Sequence, residues 1–245
     1  MSRFFLTNED SLSEGEIILR GENFHHLARV LRARIGQRVE VCDGKGTDYF
    51  CIAQSFDKES ATLKIERCEP SIAEEGPFIT LYQCVPKGDK MEQIITRCTE
   101  MGISRFVPVL SRYCVARPEG DKKIARWQKV ALAAAKQSGR GLVPEVCPVM
   151  DIKDAIEEMA AEEGTAFVCY EQEKESDLSS LPVAARVAFL VGSEGGLSQE
   201  EQALWEQKEI PAITLGKRIL RTENAAACVV PILFYKSQTE VKNNG

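Results

Sequence analysis

The chain is short of several things, and each shortage narrows what it can do. Of its 245 residues only two are histidines, and His25 and His26 are adjacent. A triad-type hydrolase needs a histidine set between separate partners, and a histidine-rich metal site needs several, so neither is expected. The nine cysteines are odd in number, widely spaced and never form C-x-x-C. That pattern argues against a disulfide framework or a zinc site, and most of them read as small apolar residues of a reducing compartment. Met1–Asp10 has no apolar core of a secretory leader. The longest apolar run, Ala225–Tyr235, is too short to span a bilayer and contains Pro231. A cytoplasmic location is therefore expected. The phosphate-cradling pattern G-x-x-x-x-G-K-[ST] is missing, and no G-x-G-x-x-G follows the first strand of the second half.

Positive charge is also in deficit: 31 Lys and Arg face 37 Asp and Glu, a net charge of −6. As a sum this speaks against nucleic acid, because phosphate contacts need local positive charge. The distribution says otherwise. Residues 1–75 carry −4, residues 76–142 carry +7, residues 143–213 carry −12 and residues 214–245 carry +3. Within the first segment, Arg20, Arg29, Arg32, Arg34, Arg38 and Lys45 outnumber the acids of residues 20–45. Two basic regions thus coexist with a strongly acidic one, and such a map says more about partners than the net value does. Apolar residues at 44% and charged residues at 28% are ordinary for a globular chain long enough to hold one or two domains.

The first part reads as β. Glu16–Arg20, Arg38–Asp43, Tyr49–Phe56 and Ala61–Glu66 are short alternating or β-rich runs. Asp43-Gly44-Lys45-Gly46 is a turn between two of them. Asn23–Arg34 predicts one short helix, with Asn23 as its N-cap, Leu27, Val30 and Leu31 buried, and Arg29 and Arg32 sharing a face. Cys68–Pro77, with two prolines and little periodicity, reads as a linker. The expected division is a small barrel-like domain at residues 1–72 and an α/β domain at residues 73–245. In the latter, strands near residues 78–85, 106–110, 166–170, 187–191 and 213–215 alternate with helices near 90–101, 124–138, 152–163, 198–207 and 224–236. That alternation predicts a mainly parallel sheet.

Two loops of this half carry chemistry. Val191-Gly-Ser-Glu-Gly-Gly-Leu-Ser198 joins a strand to a helix, and Ser198 with Glu201 has capping-box spacing. A loop at the carboxyl end of a parallel strand is where open α/β sheets bind ligands. Glu194 at its centre would repel phosphate and suits hydroxyls, amines or a cation, a pattern compatible with S-adenosyl-L-methionine. A tight turn without ligand is an equal reading of this loop taken alone. The second loop, Leu215-Gly-Lys-Arg-Ile-Leu-Arg-Thr-Glu223, is basic and holds apolar Leu215, Ile219 and Leu220, which suit an adenine. Arg221, Thr222 and Glu223 set a cation, a hydroxyl and a carboxylate side by side. They equally describe a helix start capped by Thr222.

Together these residues resemble a family. Arg3-Phe4-Phe5, His25–Gln37, Cys42–Gly46, Pro86–Ile103, Lys136–Val146, Val191–Glu201 and Leu215–Ala226 are similar, in that order, to the bacterial small-subunit ribosomal RNA uridine-N3 methyltransferases of the SPOUT class. The resemblance implies a PUA-like RNA-binding barrel and an α/β domain tied in a trefoil knot. It implies a homodimer with its cofactor site near the subunit interface, and S-adenosyl-L-methionine as cofactor. Gly192, Gly195, Gly196, Leu215, Gly216, Ile219, Leu220, Arg221 and Thr222 are then the cofactor-binding candidates. Arg221, with Glu223 and Glu194, is the catalytic candidate set. Arg3, Arg29, Arg32, Arg34 and Arg140 are the RNA-binding candidates, continued by a second basic patch that includes Lys87, Lys90, Arg112, Lys123 and Arg126. The chain departs from the family at Ser193, where Pro is usual, at Asn224, where Thr is usual, and at Lys136, where Glu is usual. Two other readings stand beside this one: a SPOUT 2′-O-ribose methyltransferase, and an RNA-binding assembly factor without catalysis.

Overall fold

The computed structural model describes residues 2–118 and 120–243. Its contacts divide the chain into two compact units, Met1–Glu75 with Ala135–Val143, and Gly76–Ala134 with Pro144–Gly245. The first unit is therefore built from two stretches of chain. No contiguous boundary separates it from the second.

The first unit is a six-stranded sheet: β1 (Ser2–Phe5), β2 (Ser11–Ser13), β3 (Glu16–Leu19), β4 (Arg38–Cys42), β5 (Thr47–Phe56) and β6 (Ala61–Pro70), in the order β1-β4-β5-β6-β3-β2. Only β1 and β4 pair in parallel. The period of two is visible in β4, where Val39 and Val41 are fully buried and Arg38 is exposed. With Phe4, Ile17, Leu19, Leu27 and Leu63 they make the core of this unit. Each such buried aliphatic side chain contributes about 1.5–3 kcal/mol. At the β4–β5 turn, Asp43 Oδ1 accepts from the amides of Lys45 (2.7 Å) and Thr47 (3.0 Å).

Three expectations change here. β1 and β2 are strands that periodicity missed, because each is only three or four residues long and gains its order from pairing. The expected helix Asn23–Arg34 is instead a short α1 (Gly21–His25) followed by a π-helical turn, His26–Val30. Asn23 does not cap it. It lies buried within α1, and its amide donates to Phe5 O (2.8 Å) and Asp10 Oδ2 (2.6 Å). Leu27 is buried as expected, but Val30 and Leu31 are exposed, and Arg32 adopts φ +50°, outside any helix that could align it with Arg29. The proposed linker also starts inside β6, since Cys68, Glu69 and Pro70 pair with Tyr49, Asp48 and Thr47.

The second unit has a seven-stranded sheet. On its main path β10 (Met150–Asp151), β8 (Arg105–Leu110), β7 (Phe78–Cys84), β12 (Arg186–Val191), β11 (Thr165–Cys169) and β13 (Ala212–Ile213) follow in that order, and β9 (Glu145–Val146) pairs with β8. Every pairing in it is parallel. Helices α2 (Lys90–Glu100), α3 (Asp121–Ser138, of which the last four residues from Ala135 belong to the first unit), α4 (Ile152–Ala161), α5 (Gln199–Gln207) and α6 (Thr222–Asn243) complete it. The central strands read as apolar runs because both faces are covered: β12 is buried from Val187 to Val191. Seven of the nine free cysteines are buried, and Cys68 and Cys228 are exposed. Among the described residues no helix is long and apolar enough to cross a membrane.

Candidate cofactor and methyl-transfer site

The site forms where β12 and β13 end. After Val191 the chain turns tightly, with Gly196 N donating to Ser193 O at 3.0 Å and Gly196 at φ +70°. Gly195 is required by a close approach: a Cβ there would lie 2.6 Å from Tyr113 Cβ. The turn feeds α5 through the expected capping box. Ser198 Oγ accepts from Glu201 N (3.2 Å), and Glu201 Oε2 accepts from Ser198 N (2.7 Å). Glu201 Oε1 also accepts from Arg112 N at 2.6 Å, so this buried carboxylate locks two loops.

Of the two readings open for Thr222, a cofactor contact and the cap of α6, the second fails, since Thr222 is the first residue of the helix itself. Its Oγ1 donates to Gly192 O (2.7 Å) and accepts from Gln83 Nε2 (2.9 Å), while buried at 6% exposure. Gln83, fully buried on β7, also donates to Cys84 O at 3.0 Å. One hydroxyl therefore ties β7, the glycine loop and the start of α6.

The two loops enclose a cavity of about 510 Å³. All nine cofactor candidates, Gly192, Gly195, Gly196, Leu215, Gly216, Ile219, Leu220, Arg221 and Thr222, line it. Cys169, Tyr170, Glu171 and Lys174 line it too, though the sequence reading did not name them. Their signal was positional, since they follow β11, the parallel neighbour of β12. Two features suit adenosine and a sulfonium: carboxylates Glu194 and Glu171 line the cavity, and Leu215, Ile219 and Leu220 supply apolar wall, alongside the cations Lys90, Lys174, Lys217, Arg218 and Arg221.

The charged groups converge around Lys90, which also lines the cavity. Its Nζ lies 2.8 Å from Glu194 Oε1 and 3.8 Å from Glu223 Oε2. The hydrogen bond to Glu194 raises the Lys90 pKa, so it stays a cation. Partial burial pushes the Glu194 carboxyl up, but hydrogen bonds from Lys90 and from backbone amides, Lys87 N among them, outweigh it and hold it below the usual range. Glu223 is 7% exposed on the first turn of α6, and its Oε2 has no hydrogen-bond partner. Arg221 is exposed at the cavity, and among the described residues no carboxylate pairs with it. Lys90 had been assigned to the RNA-facing patch. Its neighbour in space, Glu194, is 104 positions away in the chain, so no local pattern could join them.

The expected RNA surface divides. Arg29, Arg32 and Arg34 are exposed. Arg3 and Arg140 are turned inward. Arg3 pairs with Glu40 and, at 2.6 Å, with Asp48, and it donates to Arg140 O. Arg140 is 3% exposed, with Nη2 2.6 Å from Glu74 Oε2. Glu74 Oε1 also accepts from Gly141 N (2.8 Å) and Leu142 N (3.0 Å). These two arginines build the wall of the first unit. In the second basic patch, Arg112 pairs with Glu200 and Arg126 with Glu92.

Similarity to known proteins is broad. Residues 74–233 match the family model described as RNA methyltransferase domain, and residues 19–66 match that described as RNA methyltransferase PUA domain. A ribosomal RNA small subunit methyltransferase E from Bacillus subtilis is 28% identical over 97% of this chain and 98% of its own. One from Synechocystis is 32% identical over 88% of this chain and 72% of its own. The crystal structure of a ribosomal RNA small subunit methyltransferase E from Neisseria gonorrhoeae, bound to S-adenosyl methionine, superposes with a TM-score of 0.81. It is 31% identical, covering 95% of this chain and 96% of that one. With its parallel α/β sheet, its PUA-like first unit and these relatives, the chain belongs to the ribosomal RNA small subunit methyltransferase E family.

Proposed function

We propose that this protein transfers the methyl group of S-adenosyl-L-methionine to N3 of a uridine in small-subunit ribosomal RNA. The observation that carries the reading is the cavity itself: two loops tied by Thr222, with Arg221, Lys90, Glu194 and Glu223 gathered at one place. When bound, the cofactor supplies an electrophilic methyl on a sulfonium. The backbone around Gly192, Gly195 and Gly196 holds its ribose and amino acid portion, and Leu215, Ile219 and Leu220 cover its adenine.

The chain's residues answer the needs of an imide nitrogen. Uridine N3 must lose a proton, and negative charge then gathers on the adjacent carbonyl oxygens. Arg221, free of a carboxylate partner, stabilises that charge. Glu223, whose Oε2 accepts no hydrogen bond and lies 3.8 Å from Lys90 Nζ, is the better proton acceptor. Glu194 is already saturated by Lys90 and backbone amides, and shapes the loop. Holding nucleobase and methyl in line supplies much of the remaining rate.

Arg29, Arg32 and Arg34 face the RNA, and Arg3 and Arg140 brace the unit that presents them. The protein works in the cytoplasm as a homodimer with a knotted C-terminal region. Support for the dimer is the exposed apolar set Ile232 and Tyr235 on α6. The test is methylation of small-subunit RNA with labelled cofactor, followed by digestion to nucleosides. N3-methyluridine is expected; a 2′-O-methylated nucleoside, or cofactor binding without transfer, overturns the proposal.

A further inference from the structure

The segment between α1 and β4 has an unusual backbone and an unusual surface. From His26 the chain winds as a π-helix, with Leu31 N donating to His26 O at 2.9 Å. Such insertions in helices are frequent at functional positions. Two residues later Arg32 sits at φ +50°, one of two non-glycine residues in the left-handed region among those described. It closes the helix end in the usual left-handed way, with Ala33 N bonding Leu27 O at 3.1 Å. The wider turn has a definite result. Leu27 stays buried as an anchor, while Val30 is 62% exposed, Leu31 38% and Ile35 70%. Three aliphatic side chains thus stand in solvent within six positions.

The charge along this stretch is all of one sign. Residues 23–39 contain Arg29, Arg32, Arg34 and Arg38 and no acid. All four arginines are exposed, and the nearby Glu40 is taken by Arg3. A polyanion is the complementary partner. Phosphates account for the arginines but offer nothing to Val30, Leu31 or Ile35. In duplex RNA the base faces are stacked away and the major groove is too narrow to read, whereas unpaired nucleotides present their faces to side chains. Exposed aliphatic side chains interleaved with exposed arginines along one short stretch therefore fit bases that are already unstacked.

We propose that Val30, Leu31 and Ile35 form a recognition tip that contacts the faces of unpaired RNA bases, while Arg29, Arg32 and Arg34 hold the flanking phosphates. This rests on the RNA-methyltransferase reading above and deepens it: the substrate is a single-stranded or looped element, selected before any chemistry. The tip gives selectivity and the arginines give affinity, and the two separate by salt.

The experiment measures equilibrium binding of one RNA sequence, unpaired or closed into a duplex, between 50 and 300 mM salt (on the order of the range where phosphate contacts dominate). The full-length wild type, the double variant Val30→Ser/Ile35→Ser, the conservative Val30→Leu/Ile35→Leu and Arg29→Gln are compared. The wild type favours the unpaired form. The serine pair loses about tenfold of that preference with the salt slope unchanged, and the leucine pair keeps it. Arg29→Gln lowers the slope by about 0.7 for a single strand and keeps the preference. A serine pair that keeps the preference, or that lowers the salt slope, overturns the proposal. So does one that alters the sedimentation of the protein instead of its RNA binding, since a second copy would then cover the tip. Melting temperatures close to wild type show that these exposed positions do not act through folding. Wild-type protein that binds unpaired RNA but never methylates it refutes the methyltransferase reading alone and leaves the tip standing on its own variants.

Discussion

The hydroxyl of Thr222 offers the sharpest test of how this site is held. Thr222→Val keeps the shape of the side chain and removes only its hydrogen-bonding group. Two bonds are lost, one to Gly192 O (2.7 Å) and one from Gln83 Nε2 (2.9 Å). Each neutral bond contributes about 1 kcal/mol net, and a buried group left unsatisfied costs about 1–3 kcal/mol. Gln83 Nε2 keeps its bond to Cys84 O, so its loss is the smaller one. Gly192 O loses a short bond in a turn that shapes the cavity. The sum is a destabilisation of about 2–4 kcal/mol, with no cavity term because valine fills the same space. Since about 1.4 kcal/mol is tenfold in an equilibrium constant, cofactor affinity should fall by roughly five- to thirtyfold when half of that cost falls on the loop. Urea denaturation gives the first quantity and calorimetric titration with the cofactor the second. Thr222→Ser retains both bonds and should stay close to wild type in each. A valine variant within about 0.5 kcal/mol of wild type, the ordinary range of a neutral surface change, with unchanged cofactor affinity, would refute the idea that this hydroxyl ties the loops.

Further outcomes follow from other contacts. Glu74→Gln removes the charge that Arg140, Gly141 N and Leu142 N bond and should cost about 1.5–3 kcal/mol in denaturant titration; a loss below about 0.5 kcal/mol would show that the charge contributes nothing there. Gly195→Ala forces its Cβ toward Tyr113, and an overpacking cost of about 1–3 kcal/mol should appear as weakened cofactor binding in titration; normal binding would mean Tyr113 yields. Glu194 has a folded-state pKa below its ordinary 4.5, so its contribution is complete above that value and is lost as pH falls through the lowered folded value. Wild-type stability measured against pH should therefore drop more steeply on acidification than that of Glu194→Gln, and parallel curves would contradict the pairing with Lys90. Arg221→Ala should reduce methyl transfer by about 10²–10³ even at saturating cofactor; full activity would remove Arg221 from the chemistry.

Much of the fold was legible because it rests on periodicity and punctuation. The α/β order of the second unit follows from apolar strands spaced by amphipathic helices, and Ser198 and Glu201 announce α5 by spacing alone. The two loops that line the cavity were legible for the same reason: each is one continuous stretch. What stayed hidden depends on partners far away in the chain. Lys90 looks like any surface lysine until Glu194 and Glu223 are placed beside it. Arg140 resembles an RNA contact until Glu74 is seen to bury it. The π-turn at His26–Val30 keeps an apolar pattern that a regular helix would place inside, and only the backbone shows Val30 turned outward.

The two-stretch construction of the first unit has a consequence for synthesis. Its β4–β5 turn is fastened by residues made much later: Gly46 N bonds Gly141 O, Val143 N bonds Gly44 O, and Arg140 bonds Glu74. A chain leaving the ribosome therefore holds six paired strands with one side still open until residues 135–143 emerge. At roughly 5–20 residues per second, that wait lasts on the order of several seconds. A fragment ending at residue 72 would remain in this unfinished state, lacking the Arg140–Glu74 pair and the strap over the turn. The unit is a domain in space but not a portable cassette in the gene, and transplanting it requires carrying both of its pieces.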